Sequence, residues 1–143
     1  TGSQKGIFAE CIKNPESTIY NIPFLFELDN SVDVQKLSAA VTAMVNAHSY
    51  LLTKVYLNDD GEMVQCPCEK EFVPEIIETT NDKFETVKNE LVRPFKLEKG
   101  RLFRAEIYLT EDKKYLFTDF HHIIADGNSY DIIFADINRG IYG

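Results

Sequence analysis

Alternating apolar and polar residues predict several strands. Segment 20–28 has Tyr, Ile, Phe, Phe and Leu at every second position, which is typical of a strand with one buried face. Pro23 cannot donate a ladder hydrogen bond, so this strand is expected to start late or to lie near a sheet edge. Segment 102–109 alternates apolar and charged residues, whereas 115–122 is apolar on both faces. We therefore predict a central, covered strand at 115–122.

Apolar residues at three- and four-residue spacing predict helices. The predicted helices cover residues 3–10, 34–48, 84–92 and 130–141. Ser31 and Asp33 are the candidate N-caps of the second helix. Pro15 and Pro94 are expected to end the first and third helices, because proline cannot continue a helix.

A hairpin is predicted between residues 50 and 66. Strands at 50–57 and 62–66 flank the sequence Asn-Asp-Asp-Gly at 58–61, a strong turn signal. A further strand is predicted at 72–77. Strands and helices thus mix along one chain of 143 residues, one domain's worth by length. We predict an α+β fold over residues 1–143.

Composition narrows the possible functions. The chain is 44% hydrophobic and 27% charged, as expected of a soluble globular domain. No apolar run approaches the ~18 residues of a membrane span, and the first residues contain no signal-peptide core. The net charge is −8 without any basic cluster. We therefore expect no membrane insertion and no nucleic-acid binding, which requires clustered Lys or Arg.

The cysteines favour a reducing environment and no metal site. There are three, Cys11, Cys66 and Cys68, and an odd number without a secretory signal predicts a cytoplasmic location. Cys66-Pro67-Cys68 is one residue too short for a Cys-x-x-Cys pair, and no second pair exists. A zinc site needs about four ligands, so no bound metal is expected.

Two of the three histidines stand side by side at the end of the predicted central strand. His121 and His122 are followed by Asp126 and Gly127. Successive strand residues point to opposite faces, so only one imidazole of the pair can readily face a given cleft. By itself the pair is typical of a strand end with one packed and one solvated histidine. His48 ends the apolar stripe of its helix, and a structural role is expected for it.

His-His-x-x-x-Asp-Gly, here residues 121–127, resembles the signature of the condensation-domain superfamily of nonribosomal peptide synthetases. That superfamily is similar in fold to chloramphenicol acetyltransferase, so the resemblance implies a two-layer α/β sandwich in which helices flank a mainly antiparallel or mixed sheet. Other segments resemble the family in the same order. The matching residues are Ser3, Gln4, Phe8, His48, Leu51, Thr53, Pro94, Phe95, Leu97, Gly100, Leu102 and Arg104. Three positions depart from its pattern: Gly6 and Leu52 stand where the family usually has arginine, and Arg101 where it has proline.

The resemblance implies roles for the residues of the motif. His122 is the expected catalytic residue, which accepts a proton from an attacking amine or orients that amine. His121 is then a packed neighbour, and Asp126 a structural brace. Gly127 permits a backbone conformation that a Cβ would hinder. Because Leu52 replaces the arginine that supports this aspartate in the family, Arg104 is the candidate substitute.

The resemblance also implies the reaction and its partners. A condensation domain joins an amine to a thioester while both substrates ride on the phosphopantetheine arms of peptidyl or aminoacyl carrier proteins, and it binds no cofactor directly. The matched motifs belong to the amino-terminal lobe. The carboxy-terminal lobe and adjoining synthetase domains are therefore expected partners, and the 143-residue chain is expected to fold without catalysing.

Other functions fit the same motif. An epimerisation domain or a free-standing acyltransferase shares His-His-x-x-x-Asp-Gly, whereas heterocyclisation domains usually replace the histidines with aspartates. A non-catalytic module that only docks carrier proteins is a further alternative. Its support comes from the departures at Gly6, Leu52 and Arg101.

Overall fold

The computed structural model describes residues 2–67, 72–97, 102–123 and 134–135. In chain order the elements are helix α1 (Gly2–Lys13), strand β1 (Asn21–Leu28), helix α2 (Val34–Ala47), strands β2 (Thr53–Leu57), β3 (Met63–Pro67) and β4 (Glu75–Glu78), helix α3 (Asn81–Val87), and strands β5 (Phe103–Leu109) and β6 (Lys114–His121). Short 3-10 helices occupy Ser49–Leu52 and Lys88–Glu90. The helix predicted at 130–141 lies almost wholly outside the described residues.

Four strands form the main sheet in the order β1-β6-β5-β4. Strand β6 pairs antiparallel with both β1 and β5, whereas β4 is parallel to β5. Strands β2 and β3 form a separate antiparallel hairpin. This mixed sheet with flanking helices confirms the α+β prediction. The central position of β6 is also confirmed, since residues 116–121 are all buried.

Pro23 lies on β1, at an edge of the sheet in the described part of the chain. The N–H of His122 donates to the carbonyl oxygen of Tyr20 at 2.9 Å. Hydrogen-bonded pairs alternate along an antiparallel ladder, so Pro23, opposite Asp119, falls at a non-hydrogen-bonded pair. Its missing N–H therefore costs the ladder nothing, as predicted for an edge proline.

Helix α2 covers one face of the sheet. Asp33 caps the helix, because its Oδ1 accepts from the backbone N–H groups of Gln35 at 2.9 Å and Lys36 at 3.2 Å. The buried residues of this core include Leu37, Val41, Met44 and Val45 from α2, and Phe103, Ala105, Ile107, Leu116 and Phe120 from the sheet. The second candidate N-cap, Asp33, is thus the one used.

Helix α3 covers part of the opposite face. Phe84 packs with Tyr108 and Phe117, and its ring stacks on Tyr115 with centroids 4.2 Å apart. Thr80 caps α3 by accepting from the N–H of Lys83 at 3.1 Å. A third buried cluster joins α1 to β2 and to the segment before β5, through Phe8, Val55, Phe95, Leu97, Leu102 and Ile123.

The hairpin turn is confirmed, but the strand before it is shorter than predicted. The Asn58 side chain accepts from the N–H groups of Asp60 and Glu62 at 3.0 and 2.8 Å, and Gly61 has φ +75°. Strand β2 begins only at Thr53, because residues 49–52 form a 3-10 helix. In this 3-10 helix the N–H of Leu51 donates to the carbonyl oxygen of His48 at 3.0 Å. The chain thus stays helical after α2 instead of becoming extended.

The strand predicted at 72–77 is shifted along the chain. Only Glu75–Glu78 pairs with β5. Phe72 instead joins the apolar core beneath α2 and packs against the ring of Phe103 at 5.4 Å. The predicted strand therefore included one apolar residue that serves the core rather than the ladder.

Candidate active site at the end of strand β6

The two adjacent histidines lie in different environments. His121 is the last residue of β6 and is only 3% exposed. His122 follows the strand and is exposed, while its backbone N–H is held by the carbonyl of Tyr20. The Tyr20 ring lies near both imidazoles, with centroids 6.3 and 6.5 Å away. The accessible imidazole is thus carried on a fixed backbone.

The ring of His121 has a contact at each nitrogen. Its Nδ1 accepts the N–H of Ile123 at 3.1 Å, and its Nε2 lies 3.4 Å from the Sγ of Cys11. Phe95 packs against the ring at a steep angle, 5.9 Å between centroids. Burial, together with the smaller effect of the neighbouring His122, lowers the pKa of His121 to about 4. His121 is therefore a neutral imidazole near pH 7.

A buried carboxylate lies two residues earlier on the same face of β6. Asp119 is 0% exposed, and its Oδ2 accepts from the side-chain amide of Asn21 at 2.8 Å. Arg104 approaches the same oxygen at 3.7 Å. Burial raises the pKa of Asp119 to about 6, against the lowering effects of Asn21 and Arg104. Asp119 was not among the site residues predicted from the sequence, although a carboxylate in an otherwise apolar strand was an available signal.

Arg104 ties this carboxylate to the segment before β5. Its guanidinium donates to the carbonyl oxygens of Arg93 at 2.8 Å and Pro94 at 2.7 Å. It also lies 4.0 Å from the centroid of the Phe95 ring, a favourable cation–π arrangement. Arg104 therefore connects Asp119 with the loop whose Phe95 packs on His121.

The predicted brace of the motif lies outside the described residues. Asp126, Gly127 and Arg101 are not among the residues that the structure describes. The proposed pairing of Arg104 with Asp126 thus stays a prediction. Leu52, which replaces the family's arginine, is 8% exposed within the apolar core beneath α2. That position here serves apolar packing.

Two further positions named from the sequence, Gly6 and His48, lie in ordinary helical surroundings. Gly6 is exposed on α1, and a Cβ there would meet no atom within 4 Å. His48 caps the end of α2, where its N–H donates to the carbonyls of Met44 and Val45. Within the described ranges, no group of three or more His, Cys, Asp or Glu side chains could hold a metal ion. None of the described helices is long and apolar enough to cross a membrane.

Comparison with known proteins identifies relatives across the whole chain. The condensation-domain family model matches residues 1–142. Tyrocidine synthase 3 of Brevibacillus parabrevis is 32% identical over 119 residues, 82% of this chain and 2% of that protein. Bacitracin synthase 2 of Bacillus licheniformis is 30% identical over 141 residues, 96% of this chain and 5% of that protein. The chain thus spans a small part of these curated relatives.

Solved condensation domains share the fold. The starter condensation domain of rhizomide synthetase superposes with a TM-score of 0.83 and 18% identity, covering 99% of this chain and 36% of that one. The first condensation domain of the CDA synthetase gives a TM-score of 0.78 and 16% identity over 98% of this chain and 39% of that one. With the family match over residues 1–142, these results show that the chain belongs to the condensation-domain family.

Proposed function

We propose that this chain is the amino-terminal lobe of a condensation domain in a nonribosomal peptide synthetase, and that His122 is its catalytic histidine. In the proposed reaction an amine on one carrier protein attacks a thioester on another, and an amide forms. The observation that carries the assignment is the contrast at the end of β6. His122 is exposed, whereas His121 is buried with a contact at each ring nitrogen.

The chemistry requires a proton acceptor or an orienting group rather than a nucleophile. The amine nitrogen bonds to the thioester carbon, the C–S bond breaks, and the proton lost by the amine ends on the departing thiol. A neutral imidazole can accept that proton or orient the amine. His121 is poorly suited because its pKa is about 4. No covalent enzyme intermediate is needed, so no cysteine nucleophile is required.

The proposal includes the rest of the domain. The chain covers 36% of the length of the rhizomide synthetase domain, and we propose that a second lobe completes the cleft. Carrier proteins with phosphopantetheine arms would deliver both substrates. The 143 residues by themselves are expected to form no amide. The cytoplasmic location expected from the cysteines stays a prediction.

The test replaces His122 with alanine in the intact synthetase module and follows amide formation between two loaded carrier proteins. We expect a fall of about 10²-fold or more, the scale of general acid–base contributions. The melting temperature should hardly change, because the lost side chain is exposed. His48→Ala, which removes the third imidazole of the chain, is the matched control and should retain most of the rate. Unchanged turnover in His122→Ala would remove the residue from this role.

The same assay separates the alternatives. A domain that epimerises would change the chirality of the carrier-bound residue without forming an amide. A docking module would form no product in the unaltered protein, yet would still bind carrier proteins. Amide formation that depends on His122 is the result expected of a condensation domain.

A further inference from the structure

Cys11 lies beside the candidate site but has no part in the proposed reaction. It is a half-buried residue of α1, and its sulfur lies 3.4 Å from Nε2 of His121, which is 110 residues away in sequence. Burial and the nearby charge of Glu10 raise the pKa of its thiol. The group beside His121 is therefore a neutral thiol rather than a thiolate.

The direction of the hydrogen bonds around His121 follows from its partners. A backbone N–H can only donate, so Nδ1 of His121 must be the acceptor in its 3.1 Å contact with Ile123. A neutral imidazole carries one proton, which must then reside on Nε2. That proton points to the sulfur of Cys11, a weak acceptor.

We propose that Cys11 is a positioning residue for His122. Its sulfur holds His121 in the Nε2–H tautomer, and this tautomer keeps Nδ1 free to fix the N–H of Ile123. The inference rests on the proposed function of His122. The chain of contacts from Cys11 through His121 to Ile123, here called the relay, thus holds the residue on each side of His122. The backbone N–H of His122 itself donates to Tyr20.

Loss of the sulfur would disturb the relay at its far end. A buried Nε2–H without an acceptor is costly, so the ring would shift toward the other tautomer. Its Nδ1–H would then face the N–H of Ile123, and two donors cannot share a hydrogen bond. The turn that carries His122 would open, although no atom of His122 had been changed.

The test compares Cys11→Ala with Cys11→Ser in the intact synthetase module. The alanine variant loses the acceptor, whereas serine retains one at nearly the same place. We expect Cys11→Ala to lower the rate of amide formation by about tenfold, since small misplacements of catalytic groups are costly. Cys11→Ser should recover most of that loss. Equal rates in all three proteins, or equal losses in both variants, would overturn the inference.

A spectroscopic readout tests the relay without relying on activity. Nitrogen-15 NMR of histidine-labelled protein, with His121 assigned through a His121→Gln sample, reports the tautomer. We expect the Nε2–H form in the unaltered protein and in Cys11→Ser, and a mixture in Cys11→Ala. An unchanged tautomer in Cys11→Ala would contradict the proposal. The rate of amide formation by His122→Ala is measured in parallel. An unchanged rate in His122→Ala refutes the proposed function. A lowered rate in His122→Ala beside an unchanged rate in Cys11→Ala refutes only the role of Cys11.

Discussion

The two faces of the main sheet are built from different kinds of residue. The face beneath α2 is almost entirely apolar, and Thr118 is a buried polar exception on β6. The opposite face of β5 and β6 carries Arg104, Asp119 and His121 among its aromatic residues. The apolar face supplies core packing. The polar face connects the end of β6 with the loop before β5 and with α1, so it places the candidate site.

This difference has an energetic consequence. Burial of apolar side chains stabilises the fold. Burial of an ionisable group removes its hydration and destabilises the fold unless hydrogen bonds or ion pairs replace that hydration. For Asp119 the replacement is only partial, since burial still raises its pKa to about 6. The polar face thus costs stability that the apolar face provides.

The largest expected effect is on the apolar face. Phe120 is fully buried, and its ring contacts those of Phe24 and Phe103. Phe120→Ala should lower the free energy of unfolding by about 3–5 kcal/mol, the usual cost of removing a buried aromatic ring. Urea unfolding measures the change. Leu25→Ala is the control, because Leu25 is 43% exposed on the edge strand, and losses of similar size in both variants would contradict the comparison.

A smaller loss of stability is expected when one partner of the Arg104–Asp119 ion pair is removed. Arg104→Ala removes the donor to the carbonyl oxygen of Pro94, one of the two donors to that of Arg93, and the cation paired with Asp119. We expect a loss of about 3 kcal/mol in the free energy of unfolding. Asp119→Asn retains an acceptor for Asn21 and removes the buried charge, so it should be nearly neutral at pH 7. A greater loss in Asp119→Asn than in Arg104→Ala would show that the pair is stabilising as a whole.

The smallest effect is a pH dependence that belongs to the polar face alone. The raised pKa of Asp119, about 6 in the fold against 3.8, gives stability that is present below pH 4 and lost as the pH rises toward 6. The lowered pKa of His121, about 4 against 6.5, gives stability that is present above pH 6.5 and lost as the pH falls toward 4. The two contributions oppose each other between pH 4 and 6.

Single variants separate these contributions. Relative to the unaltered chain, Asp119→Asn should lose stability on acidification from pH 6.5 to 4, by about 2 kcal/mol, because the unaltered chain gains the Asp119 contribution over this range and the variant does not. His121→Gln should show the reverse slope, whatever its overall cost. Denaturant unfolding at several pH values checks both. Parallel pH curves for the two variants would contradict the assignment.

Local chemistry explains why much of the fold could be predicted from the sequence. The cap at Asp33 and the turn at Asn58 to Gly61 depend on side chains that bond their own neighbouring backbone. The central position of β6 follows from its apolar residues on both faces. The start of β2 was predicted wrongly. Residues 49–52 are apolar enough for a strand, but they form a 3-10 helix shortly after the end of α2.

The sequence by itself determined the α+β class, the main elements and the histidine motif, since each depends on residues close together in the chain. Only the tertiary structure decided which imidazole is exposed and which groups surround the buried one. Cys11 reaches His121 across 110 residues and Asn21 reaches Asp119 across 98. Such contacts depend on how α1, β1 and β6 pack together, and no local pattern of residues encodes that packing.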